Sequence, residues 1–204
     1  MSELITLQDS VTTDSKRGEN PYSRDIEDLM GSGVILVNKP RGPTSHQLAA
    51  WARKLLGIKK LGHGGTLDPF ATGVLTLLCG RATRLTEIVL SGDKKYVGVM
   101  RFSDEVAEKN VKDALSSMVG RSYNVPPKES AVKVRVRSRV FSDIDLLDID
   151  SSSRLVVVQV SCEAGTYIRT LARDLGLMIG SKCELIELHR TQAGSFDASM
   201  ACTM

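Results

Sequence analysis

The run Gly62-His63-Gly64-Gly65-Thr66-Leu67-Asp68-Pro69-Phe70-Ala71-Thr72-Gly73 sets four glycines around one histidine and one carboxylate. Glycines clustered in this way let a backbone turn through φ > 0 or approach a ligand closely, at an entropic cost the chain would otherwise avoid. An aspartate held in such a loop suits a nucleophile or a general acid–base group in a reaction that needs no cofactor. The same residue also serves as a turn or cap former, so the loop alone leaves both roles open. Other chemistries lack their motifs. The sequence has no G-x-x-x-x-G-K-[ST], no G-x-G-x-x-G opening a helix and no G-x-S-x-G, which removes the usual signatures of nucleoside triphosphate, dinucleotide and serine-hydrolase sites. His46, His63 and His189 show no paired metal-ligand spacing, and Cys79, Cys162, Cys183 and Cys202 form no C-x-x-C. Neither a metal site nor a disulfide framework is expected.

A second pattern is electrostatic. In Val132-Lys133-Val134-Arg135-Val136-Arg137-Ser138-Arg139-Val140, an extended conformation would send Lys133, Arg135, Arg137 and Arg139 to one face and the valines to the other. Such a stripe either guards an edge strand against aggregation or meets a polyanion; four like charges without an interleaved acid favour nucleic acid.

The elements that must position these groups follow from periodicity and punctuation. Residues 1–30 are polar and broken by Asn20-Pro21, and are expected to form an extension with one short helical turn. Val34–Val37 is a short buried strand ended by Pro40, Gly42 and Pro43. Thr44 precedes Gln47 by three residues, a capping-box spacing, and predicts a helix with Leu48, Trp51, Ala52, Leu55 and Leu56 inward and Gly57 as its stop. Strands are predicted over 74–78, 95–102, 155–161 and 183–188. Helices are predicted over 84–90, around Val111–Met118, and from Ile168 to Ile179 after Gly165-Thr166. This is a mixed α/β pattern without the strict βαβ alternation of a doubly wound sheet.

At 204 residues, 42% hydrophobic and 25% charged, the chain has the composition of one globular domain with a proper core. No apolar run approaches the roughly 18 residues of a membrane span and the N-terminus has no apolar signal core, so a cytoplasmic location is expected. The net charge of +3 is small, and its distribution matters more than its sum.

Several segments, taken in order, resemble the TruB-type pseudouridine synthases. The glycine loop is similar to their signature loop, and Asn38-Lys39-Pro40-Arg41-Gly42-Pro43-Thr44-Ser45-His46 to their upstream motif. Residues 94–101, 126–133, 162–171 and 188–194 match further motifs in the same order, so the likeness covers about residues 30–197. The glycine pair after His63, the run Gly98-Val99-Met100-Arg101, and Pro126-Pro127 followed by Ser130-Ala131-Val132-Lys133 are most similar to the archaeal side of the dyskerin-like, box H/ACA branch. The expected organisation is a polar extension (1–30), a catalytic domain (31–197) and a short tail (198–204), without that branch's C-terminal PUA domain.

The resemblance implies an α+β fold with a central, largely antiparallel sheet flanked by helices. It implies an isomerase converting uridine to pseudouridine in RNA without a cofactor. The substrates would be the T-loop uridine of tRNA, ribosomal RNA under an H/ACA guide RNA, or both, with the small accessory proteins of that particle as further partners and no membrane. Asp68 matches the catalytic aspartate, Arg169 the arginine that pairs with it, and Tyr96 the tyrosine that stacks on the base. His63, Gly64 and Gly65 match the segment supporting the flipped nucleotide. Lys133, Arg135, Arg137 and Arg139 are expected RNA contacts. For Lys39, near the floor of the site, an RNA contact and a helix-start or backbone contact after the first strand both stay open, with no direct chemistry expected of it. For His189 and Arg190 an RNA contact and a structural hydrogen bond both stay open, and Leu188 is expected in the core. The alternative activity is a noncatalytic RNA-binding scaffold with the same fold.

Overall fold

The computed structural model describes residues 20, 23–125, 136–152 and 154–204. A short helix α1 (Ile26–Ser32) starts where the Asp25 side chain accepts from the Asp28 amide. It leads into β1 (Val34–Lys39). Helix α2 (Ser45–Leu55) begins with the capping box the sequence predicts: Thr44 accepts from the Gln47 amide while the Gln47 side chain accepts from the Thr44 amide. Then come β2 (Leu61–His63), β3 (Thr72–Cys79), a 3-10 helix (Gly80–Leu85) and α3 (Thr86–Ser91). The rest is β4 (Lys94–Phe102), α4 (Glu108–Met118), β5 (Gly120–Asn124), β6 (Arg137–Asp150), β7 (Leu155–Cys162), α5 (Ile168–Ile179), β8 (Cys183–Ala193) and β9 (Phe196–Asp197), before a last 3-10 turn, Ala198–Met200.

These strands form one sheet in the order β1-β3-β8-β4-β7-β6-β5, with β2 added to β3 and β9 to β8. Every pairing of named strands is antiparallel except a two-residue parallel join of β3 to β8, Thr72 with His189 and Gly73 with Arg190. That join is short but decisive, because it sews the glycine loop preceding β3 to the closing motif on β8. The larger core lies under α4 and α5, where Val156, Val158 and Val160 alternate inward from β7 beside Tyr96, Met100, Phe102, Leu171, Leu175 and Leu188. A second core joins Leu48, Ala49 and Ala52 of α2 to Val37, Leu75 and Leu77.

Two expectations change, and part of a third lies outside the described residues. Trp51 and Leu55 are 53% and 77% exposed, because α2 turns only the narrower stripe Leu48–Ala49–Ala52 onto the sheet. The chain after Val140 continues as the long strand β6, whose exposed aspartates hide the strand pattern. Lys133 and Arg135 of the basic stripe, like the motif at 126–133, lie outside the described residues. Arg137 and Arg139 open β6, the first exposed and the second half-buried.

The core also sets the behaviour of the four cysteines. Burial pushes the thiols of Cys162 and Cys183 up to about 12, and that of Cys79 upward as well, while Cys202 is exposed. Only thiolates react readily. Titration of the native protein with a disulfide reagent at pH 8 is expected to register one fast thiol, lost in Cys202→Ser, with the other three appearing on unfolding. Four fast thiols in the native protein would contradict this core.

Candidate active site

Asp68 sits in a tight turn closed by the Ala71 amide donating to the Asp68 carbonyl, 3.0 Å. Its carboxylate meets Arg169 in a two-pronged pair: Nε to Oδ2 at 3.0 Å and Nη2 to Oδ1 at 3.0 Å. Parallel bonds of this kind fix the plane of the carboxylate as well as its charge. The two side chains remain 33% and 25% exposed, so the pair is open to a ligand.

Arg169 is held as carefully as its partner. It lies in the first turn of α5, and Asn124 at the end of β5 clasps the residue before that helix. The Asn124 Oδ1 accepts from the Tyr167 amide at 2.9 Å and its Nδ2 donates to the Tyr167 carbonyl at 3.2 Å. The Thr170 hydroxyl then donates to the Val125 carbonyl at 2.7 Å. From Arg169 a cleft of about 730 Å³ runs along α5 to Cys183 and Leu185.

Beneath the loop the structure spends buried cations. Lys39 is fully buried, and its ammonium donates to the carbonyls of Ala71 (2.7 Å), Pro40 (3.0 Å) and Pro69 (3.3 Å). Burial lowers the Lys39 pKa, the Asp68 carboxylate opposes that fall, and Arg190 adds to it. Arg190, 1% exposed, donates to the carbonyls of Val74 (2.9 Å), Gly65 (3.2 Å) and Thr66 (3.4 Å). Two cations thus gather four carbonyls from the loop flanking Asp68. Ser45 completes the frame: its hydroxyl accepts from the Leu67 amide at 2.8 Å and donates to the Leu67 carbonyl at 3.2 Å.

The glycines serve this packing. Gly65 adopts φ +128°, which brings its carbonyl under the guanidinium. Gly73, at φ +103°, passes so close to β8 that a Cβ there would lie 2.2 Å from the Arg190 carbonyl. A Cβ on Gly64 would lie 2.3 Å from Val89 Cγ1. Gly64 and Gly65 are both buried.

Tyr96 lies in the core beneath the loop. It is 9% exposed and packs in the cluster that includes Leu67 and Leu188. Next to it the β4–β8 register slips between Lys95 and Tyr96, leaving Thr191 unopposed and setting Tyr96 across from Arg190. Burial raises the Tyr96 pKa, an effect the Arg190 guanidinium partly opposes. His63, half-buried, has its pKa lowered by burial first, then by His46 and Arg190.

Asp68, Arg169 and Tyr96 therefore converge, with His63 on the flank. Lys39 does not face solvent. All its donors are spent on backbone, so of its two expected roles the backbone contact is the one found and the RNA contact is corrected. Arg139 is corrected in part, since its Nη1 donates to the Ser138 carbonyl and its guanidinium lies over Gly165 rather than out beside Arg137. The clasps Asn124 and Ser45 escaped sequence reasoning, because a buried side chain bonding to distant backbone leaves no local spacing to detect. Among the described residues, no group of three or more His, Cys, Asp or Glu could hold a metal.

This architecture is that of the pseudouridine synthases. The fold superposes on a solved Cbf5-Nop10-Gar1 complex with a TM-score of 0.90 at 38% identity, covering 96% of this chain and 59% of that one. It superposes on an H/ACA RNP bound to a substrate RNA containing 2'-deoxyuridine with a TM-score of 0.85 at 35% identity, covering 96% and 58%. The chain belongs to the TruB family: residues 53–168 match the N-terminal domain model of the TruB family pseudouridylate synthases. Residues 2–49 match the DKCLD domain, and 169–204 the tRNA pseudouridylate synthase B C-terminal domain. A probable tRNA pseudouridine synthase B of Methanothermobacter thermautotrophicus is 41% identical over 196 residues, 96% of this chain and 60% of the relative. Its counterpart in Methanopyrus kandleri is 41% identical over 202 residues, 99% and 59%. The chain spans about three fifths of the length of these relatives.

The buried Arg190 yields a stability prediction. Arg190→Met leaves the carbonyls of Val74, Gly65 and Thr66 without their donor, at a cost of about 3–5 kcal/mol in urea unfolding. Arg173→Met, on the exposed face of α5, is expected to stay within about 0.5 kcal/mol of wild type. Equal stability of the two variants would refute the clamp.

Proposed function

We propose that this chain carries the catalytic unit, within residues 31–197, of a cytoplasmic RNA pseudouridine synthase. The observation that supports it most is the solvent-accessible, half-buried and two-pronged Asp68–Arg169 pair above the buried Tyr96. A uridine rotated out of its stack can lie against the tyrosine with its ribose toward the carboxylate. Asp68 then promotes cleavage of the C1'–N1 bond, as nucleophile or as base toward the sugar. The freed ring turns, and C5 bonds to C1'. The C5 proton leaves and N1 gains one, so the product is an isomer of the substrate and the atoms balance without a co-reactant. Arg169 holds the carboxylate in one plane through these steps.

The substrate is uridine in tRNA, in ribosomal RNA selected by a guide RNA, or both. The relatives named as tRNA pseudouridine synthases support the first, and the solved H/ACA complexes support the second. Those complexes also support small accessory proteins of the Nop10 and Gar1 kind as partners. Among the described residues no helix is long and apolar enough to cross a membrane.

Tritium release from RNA labelled at uridine C5, with and without guide RNA, tests the activity. Asp68→Asn is expected to abolish release while RNA binding stays near wild type, since the amide keeps shape but cannot act as nucleophile or base. Arg169→Lys keeps a charge but loses the fork, and is expected to slow single turnover about tenfold or more, equal to about 1.4 kcal/mol at the transition state. Turnover by Asp68→Asn would remove the assignment, and an inactive wild type that still binds RNA would leave the scaffold alternative.

A further inference from the structure

Beside the Asp68 loop lies a second cleft, of about 350 Å³, between α2, β2 and the start of α3. Its polar wall consists of His46 and Arg53 from α2, His63 from β2 and Thr86. The rings of His46 and His63 meet edge to face, 4.7 Å between centroids and 88° between planes. His63 Nδ1 is buried and has no hydrogen-bond partner among the described residues. The cleft is tied to the Asp68 loop through the chain: His63 lies in that loop, and Ser45, the neighbour of His46, clasps Leu67, the neighbour of Asp68.

The α2–β2 side of this cleft carries charge of one sign, while Glu87 follows Thr86 on the α3 side. Between Ser45 and Leu67 the sequence holds Arg53, Lys54, Lys59 and Lys60 and no acid. All four are exposed, and none forms an ion pair among the described residues. Some exposed cations elsewhere do pair, Lys112 with Glu108, Lys182 with Glu184 and Arg173 with Asp174. Others, such as Arg81, Arg84 and Lys109, are also without an ion pair among the described residues. What marks this segment is four cations with no acid between them. An acid-free cluster repels itself unless a polyanion covers it. Imidazole, guanidinium and hydroxyl groups around a small cleft are the donor set for a phosphate.

We propose that this cleft seats a backbone phosphate of the RNA strand adjoining the nucleotide at Asp68, with Arg53, Lys59 and Lys60 neutralising phosphates next to it. The proposal rests on the reading above, that the Asp68 site receives a nucleotide of an RNA strand. It puts the affinity of this end of the molecule on the α2–β2 connection, at the opposite end of the sheet from Arg137 on β6. An acidic protein is the competing occupant, and it would not be confined to the flank of a nucleotide site.

The test is a salt titration of binding to a short fluorescein-labelled, uridine-containing single-stranded RNA, for wild type and for Arg53→Gln/Lys59→Gln/Lys60→Gln. With each cation on a phosphate, the log–log slope is expected to become shallower by about 2, at about 0.7 per contact for single strands. The charge-keeping variant Arg53→Lys/Lys59→Arg/Lys60→Arg is expected to retain the wild-type slope. A glutamine variant with the wild-type Tm and an unchanged slope would overturn the proposal, and so would polyglutamate displacing the RNA as well as an equal length of unlabelled RNA does. Wild type is assayed for isomerisation of the same RNA. A slope change without isomerisation upholds the seat and removes the enzymatic reading, whereas isomerisation with an unchanged slope removes the seat alone.

Discussion

The arrangement depends on Lys39 and Arg190, two buried cations bonded to backbone carbonyls. Taking an ammonium or a guanidinium out of water costs several kcal/mol, and hydrogen bonds to neutral carbonyls repay it only approximately. Although removing one alone strands its carbonyls at a large cost, such groups add little net stability when measured against a well-packed apolar core. They remove alternatives instead: with the carbonyls of Gly65, Thr66, Pro69 and Ala71 tied from below, the turn between them has little freedom to re-aim Asp68. The glycines are the complement of this design, letting the backbone reach the Arg190 guanidinium at Gly65 and pass close against the β8 backbone at Gly73.

The sheet brings the other half of the pair from far along the chain. Asp68 precedes β3 and Arg169 follows β7, 101 residues away. β3 meets β8 over only two residues, so the loop's position relative to the rest of the sheet depends on that short join and on Arg190 crossing it. On the Arg169 side the equivalent device is Asn124, which links β5 to the start of α5. A carboxylate and a guanidinium each fixed independently lose little entropy on pairing, so the ion pair persists although it is a quarter to a third exposed.

Most elements were legible in the sequence, because their signals are local. The Thr44–Gln47 capping box, the β-branched run of β7 and the helical stripe of α5 each carry their period within a dozen residues. The family motifs imply Asp68, Arg169 and Tyr96 as one site; in the structure Asp68 pairs with Arg169, and Tyr96 is buried in the cluster that includes Leu67, the neighbour of Asp68. What stayed hidden is not local. Arg139 looks like a surface cation, and Lys39 could be either an RNA or a backbone contact, until the carbonyls and strands around them are known. The exposure of Trp51 and Leu55 depends on what α2 packs against. Ser45 and Asn124 act on backbone 22 and 43 residues away, a distance that no periodicity records.

The central claim is that the Asp68 loop is rigid in the free protein. Native-state hydrogen exchange of the wild-type chain tests it directly at three amides: Gly64, which donates to the Thr76 carbonyl, Leu67, which donates to Ser45 Oγ, and Ala71, which donates to the Asp68 carbonyl. If the cations hold the loop, these amides exchange only through the large openings that also expose the central strands β4 and β7. Exchange as fast as that of the exposed turn at Lys59 and Lys60 would show a loop that opens by itself, and would contradict the account.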